Sequence, residues 1–348
     1  MNDAPLQQLY RQLAQLDGPL WWFADEQVND DLPALREDCQ VFCNRCDTAA
    51  ALREVGFAVS LGDFAVPQKL DVAPQAVVYR VSKERPLVHL LINAAMQALP
   101  VGGQLLLSGY KNDGLKGYAD KIAKVFDAER KIKKCDAGAY LATITKRGER
   151  NVALPDKNYR QLRLISESPA LYSKPGIYGW QKIDRGSALL IEQLPRFLQG
   201  LSSPPQRAAD IGCGYGYLAV MAAAELPDCE WLLTDNNATA LLACEKNSAE
   251  HGLRAELHLA DCADGLQGPV DIVLCNPPFH QGFAVEGELT ERFLQAAHRL
   301  LKRNGQALFV VNQFIPLQRK AEGLFPAVEL LGEAEGFRVF RLAKQAAS

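Results

Sequence analysis

The chain has 348 residues, of which 48% are hydrophobic and 23% are charged, and its formal net charge is −3. This composition is typical of a globular protein, and the length favours two domains over one. A slightly acidic chain is not a general coat for nucleic acid, so contact with nucleic acid would have to come from a local patch. The sequence shows neither a basic and apolar leader nor a run of about 18 apolar residues, which predicts a cytoplasmic protein with no membrane partner.

The nine cysteines are an odd number, and their spacing is not that of a disulfide framework. Several lie in apolar runs, as Cys275 does at the end of Val270-Asp-Ile-Val-Leu-Cys. Thiols used in this way are typical of a reducing compartment. Cys39, Cys43 and Cys46 lie close together, but no fourth ligand follows at the spacing of a zinc site, so we expect no metal.

The N-terminal half begins with apolar segments and ends in a basic one. Trp21-Trp22-Phe23 predicts a core strand, residues 77–79 predict another, and residues 91–107 predict a helix, a glycine turn and a strand. The region 111–150 is rich in cations, which include Lys116, Lys121, Lys124, Arg130, Lys131, Lys133, Lys134, Lys146, Arg147 and Arg150. Such a region is typical of a solvated helix face, and it is also the best candidate in this chain for contact with RNA phosphates.

A second set of elements follows a polar junction at residues 146–159. Strands are predicted at residues 207–211, 230–234, 255–259, 271–274 and 307–311, with helices at residues 217–226, 237–251 and 291–301. Strands that alternate with helices of this length are typical of parallel βαβ units in a doubly wound sheet. We therefore expect two domains, at residues 1–150 and 151–348.

The two halves share a helix–turn–strand segment at a constant offset of 202 residues, which aligns residues 91–107 with residues 293–309. The identical pairs are Ala94/Ala296, Ala95/Ala297, Leu99/Leu301, Gly103/Gly305, Gln104/Gln306 and Leu106/Leu308. A predicted strand precedes the segment in both halves. The repeat predicts two related α/β domains, of which only the second carries a site.

A glycine-rich loop, Asp210-Ile-Gly-Cys-Gly-Tyr-Gly, follows the first strand of the second half and opens a helix. Gly212, Gly214 and Gly216 allow a tight turn and a close approach to a ligand. This spacing departs from G-x-G-x-x-G of dinucleotide-binding folds, and Asp210 stands where it can take up the ammonium group of a methionine moiety. These two features favour S-adenosylmethionine as the cofactor.

Polar residues also follow the next two predicted strands. Asp235 lies about 20 residues after the glycines, where an acidic residue binds ribose hydroxyls, and Asn236 would pack beside the adenosine. Asp261 is placed to accept the adenine amino group, with the backbone N–H of Cys262 nearby. Either aspartate alone could equally be a helix N-cap. Because both follow successive parallel strands, a shared cofactor site at the carboxyl edge is favoured.

Asn276-Pro-Pro-Phe ends the fourth strand and is the most specific motif in the chain. The lone pair of a conjugated amino nitrogen is delocalised, which makes that nitrogen a poor nucleophile. The side-chain oxygen of Asn276, which also borders the cofactor, and the carbonyl of Pro277 would accept its two N–H bonds. Pro277 and Pro278 hold the backbone rigid, and Phe279 would stack on a flat target. The motif predicts methylation of an exocyclic or amide nitrogen, mainly by positioning.

With these motifs the chain resembles the bacterial ribosomal RNA guanine-N2 methyltransferases, and most closely their small-subunit branch, the RsmC family. Further segments that carry the resemblance are Asp31-Leu-Pro-Ala, Leu99-Pro-Val-Gly-Gly, Lys174-Pro-Gly-Ile-Tyr, Asp184-Arg-Gly-Ser-Ala-Leu-Leu and Asn312-Gln-Phe-Ile-Pro-Leu. The likeness covers nearly the whole chain. One departure is Tyr178-Gly-Trp-Gln-Lys, which stands where the family pattern has a Phe-Ser-type segment.

The resemblance implies an α/β protein of two tandem class I (Rossmann-like) methyltransferase domains. The N-terminal one would be degenerate, with a role in substrate recognition or structure. The implied product is N2-methylguanine in 16S rRNA, with the assembled 30S subunit as the partner. By resemblance Asn276, Pro277, Pro278 and Phe279 form the target-amine motif, and Asp210, Gly212, Gly214, Asp235 and Asp261 are cofactor positions.

Three alternatives stay open at this point. A large-subunit (23S) guanine-N2 methyltransferase shares the two-domain plan and the Asn-Pro-Pro-Phe-His run. An N6-adenine or glutamine-amide methyltransferase shares the Asn-Pro-Pro motif, but neither has an obvious need for a degenerate copy. A non-catalytic RNA-binding assembly factor could retain the fold, although it would be free to lose the acidic and Asn-Pro-Pro residues that are present here.

Overall fold

The protein is described by a computed structural model that covers residues 3–28, 31–67, 72–278 and 283–345. The chain divides into two compact units, Met1–Gln161 and Leu162–Ser348. Both are α/β, which confirms the predicted fold class. None of the helices within these described residues combines the length and the apolar character needed to cross a bilayer.

The first unit is a seven-stranded sheet with a hydrophobic core on each face. Its elements are α1 (Ala4–Leu13), β1 (Leu20–Ala24), β2 (Cys39–Cys43), α2 (Cys46–Val55), β3 (Ala58–Leu61), β4 (Ala76–Arg80), α3 (Arg85–Ala98), β5 (Gln104–Tyr110), α4 (Leu115–Phe126), β6 (Ala128–Lys134) and β7 (Ala139–Lys146). The strand order is β3-β2-β1-β4-β5-β7-β6, with the first five strands parallel. The last two strands run antiparallel to their neighbours.

The second unit repeats this plan after a two-stranded hairpin. Its elements are β8 (Arg163–Glu167), β9 (Ala170–Ser173), α5 (Arg185–Gln199), β10 (Arg207–Ile211), α6 (Tyr217–Ala223), β11 (Glu230–Asp235), α7 (Ala238–Glu250), β12 (Arg254–Leu259), β13 (Val270–Cys275), α8 (Phe283–Leu300), β14 (Leu301–Asn312), α9 (Leu317–Ala321), β15 (Ala327–Ala334) and β16 (Phe337–Ala343). The strand order β12-β11-β10-β13-β14-β16-β15 matches that of the first unit position by position.

The aromatic run in β1 is a core strand, as predicted, because all five of its residues are buried. Side chains of successive strand residues point to opposite faces of a sheet. Trp21 and Phe23 accordingly pack in the core on one face and Trp22 in the core on the other. Trp22 also makes edge-to-face contact with the rings of Tyr10 and Phe57.

The basic region of the first unit is only partly helical, so the helix-face interpretation is wrong for its second half. Lys116, Lys121 and Lys124 lie on α4, whereas residues 128–134 form β6 at the edge of the sheet. Charged residues are common on edge strands because they discourage pairing with another chain. With Ile132 as the main apolar residue of β6, the sequence carries too little hydrophobic pattern to show the strand.

The matching registers identify which residues of the two units correspond. In the first sheet Leu106 is in register with Val78, which is in register with Trp22 on the next strand. In the second sheet its repeat partner Leu308 is in register with Leu274, which is in register with Asp210. Trp22 therefore occupies in the first unit the place that Asp210 has in the second. A buried indole at this position fills space and offers no negative charge.

The ends of two further strands differ in the same way. The carbonyl of Cys43 accepts the N–H of Gly62, as the carbonyl of Asp235 accepts that of Ala260, so Cys43 corresponds to Asp235. By the same registers, Arg80 corresponds to Asn276. Where the second unit has Asp210, Asp235 and Asn276, the first unit therefore has Trp22, Cys43 and Arg80.

Candidate active site

The predicted site residues of the second unit follow strands that end at one edge of its sheet. Strands β12, β11, β10 and β13 are parallel neighbours, with Ile211 beside both Thr234 and Cys275 in register. The loops after these strands carry Gly212, Asp261 and Asn276, and Asp235 is the last residue of β11. This edge is where open α/β sheets bind their ligands.

The glycine-rich loop has three residues in the left-handed region, with φ of 75° at Gly212, 56° at Gly214 and 85° at Gly216. The backbone N–H of Gly212 donates to the carbonyl of Thr234 at 2.7 Å, which ties the loop to β11. A Cβ atom on Gly216 would lie 3.0 Å from Sγ of Cys244, so this glycine lets α6 pack closely on α7. A Cβ on Gly214 would meet nothing within 4 Å, so the loop opens to free space there.

Asp235 supports the glycine loop from the end of β11. Its Oδ2 accepts the backbone N–H of Gly214 at 2.9 Å, and its Oδ1 accepts that of Asn237 at 2.8 Å. A carboxylate oxygen has two acceptor sites, so both oxygens keep capacity for ribose hydroxyls. Asn236, between Asp235 and Asn237 in the sequence, is half-buried. Asp235 thus orders the loop in addition to its predicted role.

Asp261 opens a short 3-10 turn after β12, and Cys262 is buried in that turn. The Asp261 carboxylate forms an ion pair with Arg292 of α8. No local pattern predicts this partner, because 31 residues of sequence separate Asp261 from Arg292. Arg299, which lies about two turns further along α8, donates to the carbonyl of Ala263 at 2.7 Å. The turn is therefore fixed by α8, and recognition of adenine by Asp261 stays a prediction.

Asp210 is fully buried, and neither of its carboxylate oxygens accepts a hydrogen bond of good geometry from a described residue. Burial raises its pKa from 3.8 to about 8, the negative charge of Asp235 adds to the shift, and the backbone N–H of Ala219 offsets a part of it. A buried carboxylate without a partner is costly. Asp210 is therefore suited to a cation that the ligand brings.

Asn276 follows β13 directly, and its amide group is held at one end only. Its Nδ2 donates to Oδ2 of Asp184 and to Oγ of Ser187, both at 2.8 Å. Its Oδ1 is buried and has no hydrogen-bond partner within the described part of the chain. Pro277 is buried and Pro278 is exposed. Residues 279–282, which include the predicted Phe279, lie outside the described residues.

Asp184 and Ser187 are the site residues that sequence reasoning missed. The local signal was present, because Asp184 is the N-cap of α5 and accepts the backbone N–H of Ser187 at 2.8 Å. An aspartate three residues ahead of a serine reads as an ordinary helix start. Their contact with Asn276 spans about 90 residues of sequence, which no local pattern reveals.

The residues present fit S-adenosylmethionine. The unpaired, buried Asp210 carboxylate matches the ammonium group of its methionine part, and the open space at Gly214 allows the backbone to approach a ligand closely. Asp235 keeps acceptor capacity at the position of a ribose. Among the residues that the structure describes, no cluster of three or more His, Cys, Asp or Glu is suited to a metal ion.

Comparison with known families agrees with this assignment. Residues 169–341 match the family model of the methyltransferase small domain, and residues 7–140 match that of the methyltransferase small domain N-terminal. Fold and site together define an S-adenosylmethionine-dependent methyltransferase with a second, related N-terminal unit.

Curated relatives narrow the class further. The ribosomal RNA small subunit methyltransferase C of Pseudomonas entomophila is 28% identical over 98% of this chain and 93% of its own length. The protein of the same name from Pseudomonas aeruginosa strain UCBPP-PA14 is 31% identical over 76% of this chain and 78% of its own. The chain belongs to the ribosomal RNA small subunit methyltransferase C family.

A solved structure shows the same fold over both units. It is the Thermus thermophilus 16S rRNA N2 G1207 methyltransferase (RsmC) in complex with AdoMet and guanosine, with a TM-score of 0.81 and 22% sequence identity. The match covers 98% of this chain and 92% of that one. The predicted tandem class I methyltransferase fold is confirmed.

Proposed function

We propose that this protein transfers a methyl group from S-adenosylmethionine to the exocyclic N2 of a guanine in 16S rRNA, with the assembled 30S subunit as its substrate. The observation that carries the proposal is Oδ1 of Asn276 at the carboxyl edge of the second sheet, which is buried and accepts no hydrogen bond from the residues that the structure describes. The names of the curated relatives and of the solved structure support the choice of RNA and nitrogen.

Catalysis by these residues is a matter of positioning. Oδ1 of Asn276 and the carbonyl of Pro277 accept the two N–H bonds of the guanine amino group, which turns its lone pair toward the methyl group. When bound, the cofactor supplies that methyl group on a positively charged sulfur. The ring of Pro278 fixes its own φ and keeps ψ of Pro277 in the extended region, so the Pro277 carbonyl keeps one orientation. A strong base is not required, because the nitrogen becomes acidic as it is alkylated, and alignment provides most of the acceleration.

Cofactor binding falls to the preceding loops of the same unit. Asp210 would hold the ammonium group, the loop with Gly212, Gly214 and Gly216 would hold the methionine part, and Asp235 would bind the ribose. Asn236, Asp261 and Cys262 border the adenosine in this proposal. The first unit has Trp22 and Cys43 in the places of Asp210 and Asp235, so it contributes to substrate recognition or structure.

A lysine surface on the first unit is suited to RNA phosphates. We use this name for five exposed lysines on α4 and on both sides of the edge strand β6: Lys116, Lys121, Lys124, Lys133 and Lys134. None of the five forms an ion pair with an acidic residue that the structure describes. The arginines nearby differ, since Arg130 pairs with Asp120 at 2.5 Å and Arg147 pairs with Glu129. Unpaired, exposed cations are the ones available to phosphates.

The test is methyl transfer from labelled S-adenosylmethionine to 30S subunits, 50S subunits and naked rRNA from a strain that lacks this gene. The labelled nucleoside is then identified by mass spectrometry. Label in 30S particles as N2-methylguanosine supports the proposal. Label in 50S particles alone would assign the protein to a large-subunit activity, and an unlabelled RNA fraction with cofactor binding intact would refute an RNA substrate.

A further inference from the structure

Asn276 is useful as an acceptor only while its amide group keeps one orientation. A half-turn about the last side-chain bond exchanges the oxygen with the nitrogen and would present two donors to an amine that needs acceptors. Something must therefore distinguish the two orientations. The structure supplies it on the nitrogen side, where Nδ2 donates to both Asp184 and Ser187 at 2.8 Å.

We propose that Asp184 and Ser187 are positioning residues for methyl transfer, which fix the amide of Asn276 with its oxygen toward the target amine. This inference rests on the proposed function. A carboxylate oxygen accepts hydrogen bonds and donates none, so Asp184 cannot stabilise the reversed amide. Asp184 is itself held in place, because it caps α5 through the backbone N–H of Ser187 and accepts the hydroxyl of Tyr178 at 3.5 Å.

The first unit has a contact that corresponds to the one between Asp184 and Asn276. Asp3 caps α1 by accepting the backbone N–H of Leu6 at 2.8 Å, as Asp184 caps α5. Oδ2 of Asp3 also accepts Nη2 of Arg80 at 3.0 Å, and Arg80 occupies the strand-end position of Asn276.

The link between helix cap and strand end is thus a feature of both units. The partner at the strand end differs in chemistry. An arginine side chain has donors only, and Arg80 gives the remaining ones to Asp113 at 2.7 Å and to its neighbour's carbonyl. The side-chain amide of Asn276 donates to Asp184 and Ser187 through its nitrogen and still has its oxygen as an acceptor. Only the second unit therefore presents a held acceptor.

Asp184→Asn is the variant that separates positioning from folding. Asparagine caps helices as well as aspartate does, so α5 keeps its N-cap. The new amide can also donate, so it stabilises either orientation of Asn276. We expect kcat to fall about 10- to 100-fold, as a misplaced reacting group does. The KM for 30S subunits and the Kd for S-adenosylmethionine should stay within about threefold, because neither ligand contacts Asp184 in this proposal. Ser187→Ala removes one of the two acceptors and should give a smaller loss in kcat alone.

A double-mutant cycle tests whether the effect passes through Asn276. Asn276→Ala by itself should keep cofactor binding and lower turnover by roughly two orders of magnitude or more. In that background Asp184→Asn should cause no further loss, since the group that it orients is gone. The matched control is Arg185→Ala, one residue along, whose side chain is 70% exposed and pairs with Glu335. It should have wild-type kcat.

The outcomes separate the two proposals. Wild-type turnover of Asn276→Ala would refute the proposed site and this inference with it. A large loss in Asn276→Ala with wild-type kcat in both Asp184→Asn and Ser187→Ala would overturn the positioning role alone. An equal fall in kcat from Asp184→Asn in both backgrounds, or a fall that merely follows a lower melting temperature, would also overturn it.

Discussion

Asp210→Asn should make the free energy of unfolding of the cofactor-free protein less dependent on pH. The same substitution should weaken cofactor binding. The Asp210 carboxyl has a pKa near 3.8 when solvated and about 8 in the folded protein, where burial is the main cause. Between these values the folded protein holds a proton that the unfolded chain has released. Stability is therefore highest below pH 4 for this group and falls as the pH rises toward 8.

The size of the effect follows from the shift. One pKa unit corresponds to about 1.4 kcal/mol, so this group lowers the free energy of unfolding by roughly 3–4 kcal/mol between pH 5 and pH 8. Asparagine does not titrate, so the variant lacks this contribution. It also lacks the charge that pairs with the ammonium group, which should raise the Kd for S-adenosylmethionine roughly 10- to 150-fold.

The assay is urea unfolding of both proteins at pH 5, 6, 7 and 8 without cofactor, read on the transition that added S-adenosylmethionine shifts in the wild type. The difference in unfolding free energy between variant and wild type should change by roughly 3–4 kcal/mol across this range, in favour of the variant at high pH. Parallel pH profiles of the two proteins, or an unchanged Kd, would refute the account of Asp210.

Three further predictions concern the cofactor loop, the first unit and the lysine surface. Gly214→Ala and Gly252→Ala each place a Cβ in open space at a positive φ, which is 56° at Gly214 and 63° at Gly252, so each should lower the free energy of unfolding by about 1–2 kcal/mol. Only Gly214→Ala should also weaken cofactor binding, as measured by calorimetry. Calorimetry on the full chain should give one S-adenosylmethionine per chain, because Trp22 stands in the place of Asp210 in the first unit, and a second site of micromolar affinity would contradict this. Lys133→Glu with Lys134→Glu should weaken binding to 30S subunits and reduce its salt dependence without changing the Kd for the cofactor, and an unchanged salt slope would rule out this surface.

Much of the second unit could be predicted, because its hydrophobic periodicity and its glycine and proline residues indicate the same boundaries of helices and strands. The strand at residues 207–211 was placed to the residue, and the alternation of strands and helices fixed the parallel part of the sheet. Helix α8 begins at Phe283 rather than at residue 291, since Gly287 is a poor helix former and interrupts the pattern. The final antiparallel strands were not predicted, because two glutamates in β15 and two arginines in β16 interrupt the apolar pattern of each strand.

The candidate site divides in a similar way. Residues that follow parallel strands could be found from sequence, since the topology alone brings their loops to one edge. The ion pair of Asp261 with Arg292 and the contacts of Asn276 with Asp184 and Ser187 could not. They depend on how α8 and α5 pack against the sheet, which no spacing in the sequence encodes.

The central claim is that the second unit methylates N2 of a guanine in 16S rRNA through Asn276. The most direct measurement is nucleoside mass spectrometry of 16S rRNA from a strain that lacks this gene, complemented with the wild-type chain or with Asn276→Ala at equal protein level. The account predicts that the wild-type chain restores one N2-methylguanosine per 16S rRNA and that the variant does not. Restoration by Asn276→Ala, or a restored methyl group in 23S rRNA instead, would contradict it.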